Sequence, residues 1–89
     1  MPDSPQDKFP PAFWSWLHKH PDATVAAIIR VQALTPEIEA TVTEAGCHIN
    51  RRLQLLPSLA VEAPANALMQ LADDPRVQRI EPDQTVRAL

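Results

Sequence analysis

The sequence predicts an α+β fold in the order β-α-β-β-α-β, with a four-stranded antiparallel sheet carrying two helices on one face. Three observations support that expectation. Residues 24–32 alternate, with Val25, Ala27, Ile29 and Val31 on one face and Ala26, Ile28, Arg30 and Gln32 on the other. Thr35-Pro36 opens a helical run that ends at the chain's single glycine, Gly46. A second helical run begins at Pro64 and stops at Asp73-Asp74-Pro75. A period of two marks a strand and a spacing of three to four marks a helix, so each switch between them bounds an element.

Pro2, Pro5, Pro10 and Pro11 crowd the start of the chain, which predicts an extended, mobile leader. All four aromatic residues follow closely: Phe9, Phe13, Trp14 and Trp16. Pro11 suits the first turn of a short helix running to about His20, where Pro21 stops it. The β-branched residues of 24–32 favour a strand. In the next helix Thr35 is the N-cap, Pro36 the first helical residue, and Glu37 and Glu39 complement the dipole. Ile38, Val42 and Ala45 form its apolar stripe, and Gly46 supplies a left-handed stop.

Alternation then returns, with Ile49, Leu53 and Leu55 on one face; Arg51 interrupts it, the mark of a bulge or a strand end. Pro57-Ser58 turns the chain into a strand carrying Leu59, Val61 and Ala63. The helix from Pro64 buries Leu68, Leu71 and Ala72. Val77 to Glu81 makes a last strand, although Val77 and Ile80 differ in parity. This is the split ferredoxin-like arrangement, with one sheet face left open and mildly apolar through Ala26, Ile28 and Ala60. The chain divides into an N-terminal extension (residues 1–22), a core domain (23–82) and an extended C-terminal tail (83–89).

At 89 residues there is room for one domain and none for a deep cleft between lobes. The net charge of −3 disfavours a nucleic-acid partner. The expected strands carry no Phe, Tyr or Trp on which RNA bases could stack. The one cysteine, Cys47, cannot close an internal disulfide, which fits a reducing compartment and a cytoplasmic protein. No basic start with a long apolar run is visible, and Val25 to Ile29 is far short of a membrane span. One glycine excludes a glycine-rich phosphate loop, and Ser4, Ser15 and Ser58 sit in no nucleophile motif. His18, His20, Cys47 and His48 lack the spacing of a closed zinc site. The chain is therefore expected to hold neither metal nor cofactor and not to be an enzyme.

The stretch Asp74-Pro75-Arg76-Val77-Gln78-Arg79-Ile80-Glu81-Pro82-Asp83 joins a helix-ending Asp-Pro to a Val-x-x-Ile strand, two acids and a short tail. With the element order, it resembles the subtilisin propeptide-like peptidase inhibitors over roughly Ala23 to Leu89. The resemblance implies an inhibitor, or intermolecular folding chaperone, of a subtilisin-type serine protease. It further implies that Glu81 and Asp83 cap the N-termini of two protease helices, sound chemistry for groups with unpaired N–H donors. The tail would add as a strand in the substrate cleft. There Leu89 would fill the pocket beside the nucleophile and Val86 an apolar pocket upstream, Ala88 would pass the catalytic histidine, and Arg87 would face solvent. No protease follows in the chain, so the expected action is in trans. Pro82 stands where the family often places a polar residue, and the aromatic extension has no counterpart in the basic module.

A second reading keeps the fold and loses the protease. Phe13, Trp14 and Trp16 would then anchor a partner or a second copy of the chain, since Trp is enriched among interface anchors. The same segment could instead fold back over the helices or over the open sheet face. In the latter place it would compete with protease docking.

Overall fold

The computed structural model describes residues 4–83. Its elements run α1 (Pro11–Lys19), β1 (Thr24–Val31), α2 (Pro36–Glu44), β2 (His48–Leu53), β3 (Ser58–Pro64), α3 (Ala65–Leu71) and β4 (Val77–Pro82), after a 3-10 turn at Pro5–Lys8. The four strands form one antiparallel sheet in the order β2-β3-β1-β4, with β2 and β4 at its edges. No described helix is long and apolar enough to cross a membrane.

The α2 boundaries follow from local chemistry. Thr35 Oγ1 accepts the Ile38 amide at 3.1 Å, satisfying a donor that the helix leaves unpaired. At the other end Gly46 has φ 111°, and its amide donates to the Thr43 carbonyl while that of Cys47 donates to Val42. This double bond is the Schellman stop, and it needs a residue free to take positive φ.

One core lies between the sheet and the helices. Ala27, Ile29 and Val31 of β1 and Leu59, Val61 and Ala63 of β3 meet Ile38, Val42, Leu68 and Leu71 from α2 and α3. Two bulges fix what faces that core. In β2, Ile49 pairs with Val61 and Arg51 with Ala60, so Asn50 is the extra residue. Parity flips there: Ile49 turns inward while Arg51 and Leu53 share the opposite face. The expectation of Ile49 and Leu53 on one face is thereby corrected, and Leu55 lies in the β2–β3 turn, not in a strand. In β4, Ile80 pairs with Ile29 and Val77 with Val31, leaving Gln78 as the extra residue. That second bulge lets Val77 and Ile80 both face the core despite unequal parity.

The N-terminal extension joins the same core. Phe9 (3% exposed), Phe13 and Leu17 are buried in it, α1 packs on α3, and the 3-10 turn packs on β4. Lys8 Nζ donates to the Asp74 carbonyl at 3.0 Å, and the Asn66 amide donates to the Pro21 carbonyl at 3.0 Å. The start of the chain from Pro5 is thus a helical turn held against the domain, where an extended leader was expected.

Candidate protein-docking face

The sheet face opposite the helices carries three cross-strand rows. His48, Glu62, Ala26 and Asp83 form the first, with the Asp83 amide donating to the Ala26 carbonyl at 2.9 Å. Arg51, Ala60, Ile28 and Glu81 form the second. Leu53, Ser58, Arg30 and Arg79 form the third. Strand residues two apart share a face, so the two bulges decide this membership.

No helix covers these rows. The second and third rows and the β2–β3 turn form a shallow concavity of about 300 Å³ lined by Ile28, Arg30, Leu53, Leu55, Leu56 and Arg79, and no α1 residue lines it. Ser58 is buried there, its hydroxyl donating to the Leu56 carbonyl at 2.5 Å and so shaping the turn. The aromatic extension, which could have lain over this face, packs on the helical side through Phe9, Phe13 and Leu17, and only Trp16 reaches the corner beside Ala26 and Asp83.

Glu81 is half-exposed on the face, its Oε2 2.6 Å from Arg79 Nε. Asp83 is buried at 6% exposure, with Oδ2 3.8 Å from Arg51 Nη2. The two acids therefore occupy neighbouring rows of one surface but differ in access. Glu81 already points at solvent, whereas Asp83 must turn outward to meet a partner. Val86, Arg87, Ala88 and Leu89 lie outside the described residues.

Of the aromatic trio, Phe13 is a core residue. Trp14 is half-buried, its ring 5.0 Å from Phe9 and 4.4 Å from His18. Trp16 is 40% exposed and lies 4.6 Å from the ring of His20. Among the described residues no three His, Cys, Asp or Glu side chains come together as metal ligands would. Burial pushes the Cys47 thiol up to about 11, so it stays protonated at neutral pH and is a poor nucleophile.

Charge on the helical side belongs to the fold. Arg52, turned away from the open face by the bulge, donates from Nε to Glu39 of α2 at 2.9 Å and holds that carboxyl below its ordinary value. Arg76 grips Asp74 through side chain and backbone and also reaches Thr41 of α2. Sequence reasoning placed Arg30 on the face of Ala26 and Ile28, as found, but missed Leu55 and Leu56 as surface features. The signal available was the Leu-Leu-Pro run, an apolar pair where a turn residue was needed.

Comparison with known protein families and with curated proteins finds no match to this chain.

Proposed function

We propose that the chain is an inhibitor, or intermolecular chaperone, of a subtilisin-type serine protease, built on a ferredoxin-like frame and acting in the cytoplasm. Read from the β4 edge, the strand order is β4-β1-β3-β2, with α2 and α3 as the connections, and this supports the frame. The observation that carries the function is the uncovered sheet face with Glu81 on its rim where β4 delivers the chain toward residues 84–89. In this reading the face lies on two protease helices and Glu81 caps one of them. Asp83 leaves Arg51 to cap the other, and Val86 to Leu89 enter the cleft as an added strand. Chaperone action needs the same contacts, because whatever binds the folded protease also stabilises it. The adaptor alternative draws less support, since Phe13 is occupied within the core.

The test is a titration of a generic subtilisin with the chain, beside a variant lacking Val86 to Leu89 and an E81A variant. Submicromolar inhibition that disappears with the truncation and weakens with E81A is the expected result. A folded chain that inhibits no subtilisin, or inhibits equally well without those four residues, overturns it.

A further inference from the structure

Leu55 (99% exposed) and Leu56 (61%) stand side by side in the β2–β3 turn, a place where polar residues are the rule. Apolar side chains exposed singly need no explanation, but adjoining ones rimmed by charge mark a contact site. Both line the concavity of about 300 Å³ on the open face, together with Ile28, Leu53, Arg30 and Arg79. Across the third row the chemistry runs from apolar to cationic: Leu53, Ser58, Arg30, Arg79.

The chain carries a net charge of −3, yet the concavity holds two guanidinium groups, Arg30 and Arg79, against the single carboxylate of Glu81. Arg30 and Arg79 are direct cross-strand partners, and like charges so placed weaken a sheet unless an anion relieves them. Glu81 takes the Nε of Arg79 at 2.6 Å. Arg30 makes no ion pair among the described residues. A positive charge is thus left over beside an apolar turn.

We infer that this turn end of the open face binds an extended segment of a partner protein in which an acid follows a leucine three residues later. The leucine covers Leu53, Leu55 and Leu56, and the carboxylate meets Arg30 and the terminal nitrogens of Arg79. Leu53 and Arg30 are two strands apart, about 10 Å at 4.8 Å per strand. An extended polyproline-type chain turns the same face every three residues over about 9 Å, which matches that span.

Other occupants fit less well. A free small ligand is typically about 70–90% buried in its pocket, whereas here one wall, Leu55, stands almost wholly in water. The chain's own residues 84–89 hold Arg87 and no acid, so their side chains bring the wrong charge. A few partner residues bury far less than the roughly 800 Å² per partner of a stable complex, so the binding is weak and depends on its two anchors. The inference does not rest on the protease reading, which assigns roles to Glu81, Asp83 and the residues after β4, and its test uses no protease.

The experiment is a titration of the isotope-labelled full chain, followed by its amide NMR shifts, with a short acetylated and amidated peptide built around leucine-proline-proline-glutamate. Circular dichroism confirms that each variant is folded. Shifts should centre on Arg30, Leu53, Leu55, Leu56 and Arg79 and saturate below about 1 mM. L55D/L56D, altered only at exposed positions, should raise the dissociation constant by about tenfold or more. R30E sets opposite charges across β1 and β4, which the sheet favours. It should lose the glutamate peptide and gain the same peptide with lysine in place of glutamate. The inference is overturned by the absence of saturating shifts, by shifts centred on the corner beside Trp16, or by equal wild-type affinity for the glutamate and lysine peptides. Binding unchanged in folded L55D/L56D overturns it as well.

Discussion

Arg51 on the β2 edge reaches across β3 and β1 to bring Nη2 to 3.8 Å from Oδ2 of Asp83, just past the other edge. One guanidinium thereby spans the sheet face and ties down the point where the chain leaves β4. Its side chain is half-exposed, so water screens the attraction. R51A should therefore lower stability by only about 0.2–1 kcal/mol, read as a shift in urea midpoint. A loss above about 3 kcal/mol would show that the pair behaves as a fully desolvated one.

The extension is part of the domain because Leu17 is fully buried beside Phe13 and Phe9. L17A should cost about 2–5 kcal/mol, the range for emptying a buried leucine site. Chemical denaturation checks it. A value near zero would mean that docking of α1 adds little to the stability of the domain.

Gly46 has open space around it: an added Cβ would come no nearer than 4.0 Å, to the Cβ of Ala67. Any penalty in G46A is then backbone strain at positive φ, about 1–2 kcal/mol. Thermal or urea unfolding should show that loss, and an unchanged midpoint would mean that α2 can end without a left-handed residue.

Asp74 gives the fold a defined acid sensitivity. Hydrogen bonds from Arg76, chiefly its guanidinium, hold the carboxyl below its ordinary value of 3.8. The unfolded chain thus binds this proton more readily than the folded one, and stability rises with pH through that window. The contribution is complete above 3.8 and fades as pH falls through the lowered folded value. D74N should flatten the acid side of the stability-against-pH curve; curves that run parallel for D74N and wild type would remove Asp74 as the cause.

The elements whose signals are local were legible from the sequence. The alternation of 24–32, the Thr35-Pro36 start, the Gly46 stop and the Asp74-Pro75 break all appear where their chemistry requires them. What was not legible depends on pairing across the sheet. Asn50 and Gln78 become bulges only because Val61 and Ala60 of β3, and Val31 and Arg30 of β1, set the neighbouring register. Within residues 48–55 Arg51 signals a bulge or a strand end, but only the β3 register shows that Leu53 leaves the side occupied by Ile49. Burial of Asp83 was equally hidden, since the groups around it, Ala26 of β1 and Arg51 of β2 among them, lie far away in sequence. Trp16 and Phe13, three apart on one helix, look alike in sequence, and only the packing of α1 on α3 separates core from surface.

The bulge at Asn50 has a further consequence for how the protein behaves when concentrated. β2 is an edge strand, and an uncovered edge offers unpaired amides and carbonyls on which foreign chains can grow into fibrils. The extra residue breaks the even spacing such growth requires, and the consecutive Arg51 and Arg52 beyond it point to opposite sides of the strand. An incoming strand meets a cation whichever way it approaches, so the β2 edge resists nucleating aggregates.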